Sequence, residues 1–159
     1  MVDTLTSQAV WNEIEKQIFA VVGMVSAKNE ARTAGIVYVV LNRKLYFSSV
    51  ADAWKVRHIR QNPHISVTIP IAKRAPLMPW IKIPAATITF AGEARILDGD
   101  EIGDTVKKAV FRGLKTDPSQ TKPYAVIEIT PRGHFVTYGV GVPLLAMRDT
   151  EKARGRVPV

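Results

Sequence analysis

Residues 46–57 read Tyr-Phe-Ser-Ser-Val-Ala-Asp-Ala-Trp-Lys-Val-Arg, and both the fold and the site are predicted outward from them. The aromatic residues before Ser48 are typical of a strand. Ser49, with Asp52 three residues later, has the form of a helix capping box. The stretch therefore predicts a strand that ends at Ser48 and a short helix that begins at Ser49.

The same stretch contains the components of a phosphate site. The first-turn amides of a helix have no internal partner and lie at the positive end of the helix dipole. Two hydroxyls, those of Ser48 and Ser49, precede these amides, and Lys55 follows just over one turn later. A capped surface helix with a solvated lysine would show the same residues, so the pattern alone leaves both interpretations open.

The residues before this stretch predict one helix and three strands. Apolar residues at helical spacing indicate a helix over residues 7–19. Two β-rich runs follow, over residues 19–26 and 33–41. A polar turn at residues 42–44 joins the second run to the strand at 45–48 as a hairpin.

The residues after it predict further strands with single helices between them. The short helix should end at Asn62, because a proline disfavours helical geometry in the residue before it. A strand at 64–69 and a proline-rich loop at 70–84 follow, and then a long strand at 85–97 in which Gly92 marks a bulge or close approach. A helix begins at residue 98, with Ile102, Val106, Val110 and Leu114 on one face. The last elements are a hairpin of 124–130 and 134–138 and a basic, extended C-terminal tail at about 140–159. This order predicts a mainly β, antiparallel barrel with peripheral helices, in one domain over residues 1–159.

The composition excludes several kinds of site. The 159 residues contain no cysteine, and the spacing of the three histidines does not suit a metal site. No leader pattern and no apolar run of about 20 residues is visible, so we expect a cytoplasmic protein with no membrane partner. The net charge of +8 favours anionic partners. The aromatic residues lie within apolar strand and helix patterns, which argues against a nucleic-acid partner.

From Phe19 to Leu97, and more loosely to Tyr138, the chain resembles the pyridoxamine 5′-phosphate oxidase-like flavin-binding split barrels. The features that carry the resemblance are the first hairpin, the aromatic-Ser-Ser at the end of the third strand, the lysine six residues past Ser49, the Asn62-Pro63 that closes the short helix, and the strand with Gly92-Glu93-Ala94-Arg95. The resemblance implies a homodimer that holds flavin mononucleotide (FMN) at the subunit interface.

The resemblance also implies roles for individual residues around the flavin phosphate. Lys55 resembles the lysine that contacts the phosphate, with the two strand-end serines beside it. The oxidase has an arginine before this lysine, whereas this chain has Trp54. Arg32 or Arg57 is a candidate to replace the missing cation.

For the flavin ring, the resemblance points to two other strands. The segment from Thr33 to Tyr38 resembles the strand that runs along the flavin, partly through its main chain, which makes Thr33, Ala34 and Gly35 candidate contacts. Thr87 occupies the place of a polar contact to the ring. Trp54 is a candidate to stack on the flavin or to wall its pocket, with packing as the alternative role.

The function that the resemblance implies is an FMN-dependent oxidoreductase acting on a small molecule. The substrate-binding residues of the oxidase have no match here, so oxidation of pyridoxamine phosphate is not predicted, and no catalytic side chain is identified. The alternatives are a reductase that uses the deazaflavin F420 and a non-enzymatic module that binds flavin or haem. One further hypothesis is that Arg148 or Arg154 of the basic tail contacts an acidic ligand bound in the site of the partner subunit.

Overall fold

One antiparallel sheet of eight strands organises the part of the chain that the computed structural model describes, which is residues 5–75, 77–78, 80, 82–112 and 123–159. The elements are α1 (Ser7–Lys16), β1 (Phe19–Val25), β2 (Ala31–Val37), β3 (Val39–Leu41), β4 (Lys44–Val50), α2 (Trp54–Gln61), β5 (His64–Ile71), β6 (Ala86–Leu97), α3 (Asp104–Val110), β7 (Tyr124–Tyr138), a 3-10 turn (Ala146–Arg148), α4 (Thr150–Ala153) and β8 (Arg154–Pro158).

The strand order is β2-β1-β5-β6-β7-β4-β3, with β8 added to β7. The two edge strands, β2 and β3, are consecutive in the chain and are joined at Tyr38. The sheet therefore curls until its first and last strands meet in one bent segment. Since β6 follows one edge of β7, the other edge is shared by β4 along Tyr124–Ile129 and by β8 along His134–Tyr138.

The core fills the inside of this curled sheet. Its strands alternate buried and more exposed side chains, as in β5 and β6, because successive residues of a strand point to opposite faces. Helix α1 adds Trp11, which is 1% exposed and meets the ring of Phe135 edge-on at 5.3 Å between centroids. Full burial of an apolar side chain is worth about 1.5–3 kcal/mol. The predicted mainly β, antiparallel barrel with peripheral helices is confirmed.

The predicted capping box at Ser49 is wrong. Strand β4 continues to Val50, which pairs with Tyr124 of β7, and α2 begins only at Trp54 with Ala53 as its N-cap. Six residue pairs with β7 hold this segment extended, and these tertiary contacts override the local helix signal. The predicted end of the helix is confirmed, since α2 ends at Gln61 with Asn62 as its C-cap.

The predicted hairpin around residues 131–133 is also wrong, because β7 is a single strand of 15 residues. Its long neighbour β6 pairs with it on both sides of Pro131 and so keeps the direction of the chain. The turn-like residues form an irregularity instead, with a register shift between Thr89 and Ala91 and a left-handed Gly133 at φ 74°. The close approach expected at Gly92 is present, since a Cβ there would lie 3.3 Å from the Thr130 carbonyl oxygen.

Smaller differences concern element ends. The predicted run 33–41 divides at Tyr38 into β2 and β3, α1 ends at Lys16, and α3 begins at Asp104. Leu114, expected on the α3 face, lies outside the described residues. The C-terminal residues, for which we expected an extended tail, form the 3-10 turn, α4 and β8. Among the described residues, the helices are too short or too polar to cross a membrane.

Candidate functional site

A groove of about 270 Å³ lies where β2 and β4 diverge. Strand β3 pairs with β4 through Val39–Leu41, so beyond Tyr46 no described strand pairs with β4 on that side. Strand β2 pairs with β1, and within the described ranges its other edge has no strand partner. The groove is lined by Gly35, Ile36, Val37, Tyr38, Val39, Tyr46, Ser48, Lys55 and Val110. It thus combines free backbone groups with an apolar wall and a single cation.

Three of the predicted site residues, Gly35, Ser48 and Lys55, meet in this groove. Lys55 lies in the first turn of α2, whose N-cap Ala53 offers no side-chain acceptor. The Ala53 amide donates to the Val50 carbonyl and the Val56 amide to the Ala53 carbonyl, which leaves the amides of Trp54 and Lys55 without a bond among the described residues. No acid lines the groove, and within the described ranges Lys55 makes no ion pair. A lysine and uncapped helix amides without a neighbouring carboxylate make this end of the groove suited to an anion.

Ser49 does not join these residues. Side chains alternate along a strand, so Ser49 points to the opposite face of β4 from Ser48. The expectation of two adjacent hydroxyls at a helix start depended on the capping box, which is absent. Only Ser48 brings its hydroxyl to the groove.

Beside the groove, an ion cluster surrounds the buried Glu128, which is 8% exposed, and its cations Lys44 and Arg95 have side chains that are 37% and 59% exposed. Tyr46 Oη donates a hydrogen bond to Glu128 Oε2 at 2.9 Å. Lys44 Nζ lies 3.1 Å and Arg95 Nε 3.6 Å from Glu128 Oε1. The register explains the cluster, because Tyr46 and Arg95 each stand directly opposite Glu128 on the neighbouring strands. Tyr46 therefore lines the groove while its hydroxyl is fixed by the hydrogen bond to Glu128.

The cluster changes the acidity of its members. Burial raises the pKa of Glu128, but the hydrogen bonds from Tyr46 and Lys44 and the charges of Lys44 and Arg95 outweigh it, so the pKa lies below its ordinary value of 4.5. Burial, and then the hydrogen bond to Glu128, raise the pKa of Tyr46 to about 12. Tyr46 thus stays protonated and Glu128 ionised near neutral pH. Sequence analysis missed this cluster; its one signal was a lone acid in the apolar run 124–130.

The other predicted site residues lie outside the groove. Arg32 is exposed, pairs with Glu30 and lines a separate polar depression with Arg57. Ala34 packs against the core. Trp54 is 40% exposed at the start of α2, and its ring centroid lies 5.6 Å from that of His58.

Thr33 and Thr87 lie on the outer face of the sheet. On β2 the residues that alternate with buried Ile36 include Thr33, and on β6 Thr87 is half-buried between buried Ala86 and Ile88. This face, made of the outward residues of β2, β1, β5, β6 and β7, includes exposed Val37 and Val136, at 69% and 50%. We name it the uncovered face.

The comparisons with known proteins agree on the fold. The sequence model described as pyridoxamine 5′-phosphate oxidase matches residues 6–137. No curated protein matches the chain.

Among solved structures, the chain is similar to an FAD-binding protein of Mesorhizobium loti, with 12% identity and a TM-score of 0.62 over 80% of this chain and 88% of that one. It is similar to HutZ, the haem storage protein of Vibrio cholerae, with 12% identity and a TM-score of 0.63 over 86% and 98%. A haem-binding protein of Mycobacterium smegmatis has 18% identity and a TM-score of 0.61 over 85% and 53%. At such identities the likeness is one of fold.

Proposed function

The chain belongs to the pyridoxamine 5′-phosphate oxidase family, and from that premise we propose that it binds FMN in the groove between β2 and β4 and serves as a flavin-dependent oxidoreductase. The observation that carries the proposal is the meeting of Lys55, Ser48 and the uncapped start of α2 beside a free strand edge. A phosphorylated, planar cofactor needs both an anion site and an extended flat wall. The groove offers the two side by side.

The phosphate end of the cofactor fits the α2 end of the groove. Lys55 supplies a charge-assisted hydrogen bond, and the first-turn amides of Trp54 and Lys55 supply donors at the positive end of the helix dipole. Ser48, which lines this end of the groove, supplies a hydroxyl. In this proposal Trp54, in place of an arginine, contributes no charge, and Arg32 and Arg57 lie in the neighbouring depression.

The ring end fits the β2 edge. Gly35 lines the groove, and the Phe19 ring packs on it, since a Cβ there would lie 2.9 Å from Phe19 Cε2. The β2 edge that pairs with no described strand presents amide and carbonyl groups to the ring. When bound, the flavin ring supplies the hydride-transfer chemistry, and the protein binds it, orients it and excludes water. The hydroxyls of Tyr38 and Tyr46 already donate to the Ile14 carbonyl and to Glu128, so neither is free to donate a proton.

The proposal includes a homodimer. Thr87 does not line the groove of its own chain, and it lies on the uncovered face together with Thr33. No helix covers that face among the described residues, whereas α3 packs on the outer side of Tyr46, Leu97 and Val126. A second copy on the uncovered face would bury exposed Val37 and Val136, and a flavin held between two copies could use Thr87 as a ring contact.

Haem is the second candidate ligand. Solved structures of the same fold include a haem storage protein and a haem-binding protein, which supports it. Haem needs an axial ligand, and the described residues that line the groove include no histidine. His58 lies on α2 next to Trp54, outside the groove. This arrangement favours flavin over haem.

The proposal is tested by titrating FMN, F420 and haemin separately into the purified protein and following absorption and fluorescence. We expect FMN to bind and Lys55→Ala to weaken it about tenfold or more, the size of a lost charge-assisted hydrogen bond. Lys28→Ala is the matched control, since Lys28 is exposed and lines the other depression. Binding of F420 alone would select the deazaflavin reductase, and binding of haemin alone the haem module. Equal FMN binding by wild type and Lys55→Ala would exclude the proposed phosphate site.

A further inference from the structure

A second cavity, of about 350 Å³, lies at the opposite side of the molecule from α2, between the loop after β5 and the segment before the 3-10 turn. Apolar side chains make most of its lining, including those of Met78, Ile83, Leu144 and Met147. Its volume falls in the range of small-molecule sites. None of its lining residues belongs to the groove between β2 and β4.

One wall of this cavity is held in place by the sheet. Tyr138 Oη donates to the Met147 carbonyl oxygen at 2.7 Å, and Met147 is 4% exposed. Gly139 has φ 70°, and its amide donates to the Ala153 carbonyl oxygen at 2.8 Å. A Cβ at Gly139 would lie 2.5 Å from Met147 Cε, so the thioether packs directly on this glycine. The Met147 wall is therefore preformed and does not depend on a ligand.

The charges at the cavity have one sign. Lys82 and Arg148 both line it and both are exposed. Its lining contains no acid, and over the described part of the chain neither cation makes an ion pair. The other exposed members are apolar, with Met78 at 45% and Leu145 at 82% exposure. An apolar hollow with two unneutralised cations complements a ligand that has an apolar body and an anionic end.

We propose that this cavity is a second binding site, for a small amphiphilic carboxylate. The apolar body lies against Met147, Leu144 and Ile83, and the carboxylate meets Arg148 and Lys82. Arg148 suits this role because its planar guanidinium binds a carboxylate through two parallel hydrogen bonds. The site is independent of the flavin proposal, because it shares no residue with that groove.

The test compares decanoate with decanol, which has the same chain but no charge, by isothermal titration calorimetry at low and high salt. We expect decanoate to bind more tightly than decanol and to weaken as salt rises, because salt screens exposed charges. Arg148→Ala should weaken decanoate about fivefold, the size of a partly exposed ion pair, and leave decanol unchanged. Arg154→Ala is the matched control, an exposed arginine that pairs with Glu151 and does not line the cavity.

A second pair of variants tests the apolar part. Leu145→Asp places an acid among the lining residues and should abolish decanoate binding, whereas Leu77→Asp, equally exposed in the neighbouring loop but outside the lining, should leave it unchanged. Both leucines are more than four-fifths exposed, so neither substitution should unfold the protein. Equal affinity for decanol and decanoate, or no effect of Arg148→Ala, would overturn the proposal. A failure of both decanoate and decanol to bind would also overturn it. If, in addition, sedimentation showed that Leu145→Asp breaks an assembly of copies of the chain, the cavity would be a subunit contact and not a ligand site.

Discussion

Lys44 begins strand β4 and Lys55 lies in helix α2, which follows the other end of that strand, and their surroundings differ in a way that separates stability from binding. Lys44 faces Glu128 at 3.1 Å, inside a cluster that also holds Tyr46 and Arg95. Lys55 lines the groove without an acid beside it. Removing the partners of a buried carboxylate lowers the stability of the folded protein, whereas a cation without a neighbouring carboxylate is available to bind an anionic ligand. We therefore expect the Glu128 cluster to govern stability and Lys55 to govern binding.

The largest effect should come from Glu128→Ala. It leaves the buried Tyr46 hydroxyl without its acceptor and Lys44 without its ion-pair partner, whereas Arg95 keeps Glu101 at 3.5 Å, so we expect a loss of about 2–3 kcal/mol in the free energy of unfolding. Urea unfolding followed by circular dichroism measures it. Glu93→Ala is the control, since the Glu93–Arg132 pair is exposed and is worth about 0–1 kcal/mol. Equal losses in the two variants would show that the cluster has no special role.

The next effect in size is that of Tyr46→Phe. The ring and its packing remain, but Glu128 loses the donor at 2.9 Å. A hydrogen bond to a charged group is worth about 1.5–3 kcal/mol, and one between neutral groups about 0.5–1.5 kcal/mol. Tyr138→Phe, which removes a 2.7 Å bond to a carbonyl, should therefore lower the unfolding free energy less than Tyr46→Phe does. A larger loss in Tyr138→Phe would contradict the importance assigned to the Glu128 cluster.

The sequence could predict the barrel but not this cluster, for physical reasons. Alternating apolar residues in β5 and β6 and the Asn62-Pro63 helix end are local signals, and both predict the observed elements. The contacts of Glu128 depend on the register that places Tyr46 and Arg95 opposite it, on strands far apart in the chain. Such registers follow from pairing of whole strands, which no short stretch encodes.

The two errors at Ser49 and at residues 131–133 have the same origin. Each stretch carries turn or cap residues, and in each a long neighbouring strand keeps the backbone extended. The error at Ser49 also altered the candidate site, because it paired two serines that point to opposite faces of β4. The prediction that Lys55 and Ser48 lie together still agrees with the groove, because the observed strand end and helix start differ from the predicted ones by only a few residues.

Replacing each of the two lysines by alanine sharpens the comparison between them. We expect Lys55→Ala to weaken FMN about tenfold and to change the unfolding free energy by no more than about 0.5 kcal/mol, because its side chain has no protein partner among the described residues. Lys44→Ala should do the reverse, lowering stability and leaving FMN affinity unchanged. Fluorescence titration and urea unfolding of the same two variants measure both quantities. If both variants lost the same property, the division between the two lysines would be wrong.

The smallest effect is the part of the pH dependence of stability that comes from Glu128. Its pKa is lower in the folded chain than in the unfolded one, so as pH falls the unfolded chain takes up this proton first. The stabilisation is complete above the ordinary carboxyl value of 4.5 and is lost as pH falls through the lower, folded pKa. Glu128→Gln keeps the size of the side chain but cannot titrate, so it lacks this loss. The gap in unfolding free energy between wild type and Glu128→Gln should narrow from about pH 6 to about pH 3 in urea titrations. A gap that stayed constant would mean that Lys44, Tyr46 and Arg95 do not hold the carboxylate ionised, and the contrast with Lys55 would lose its electrostatic basis.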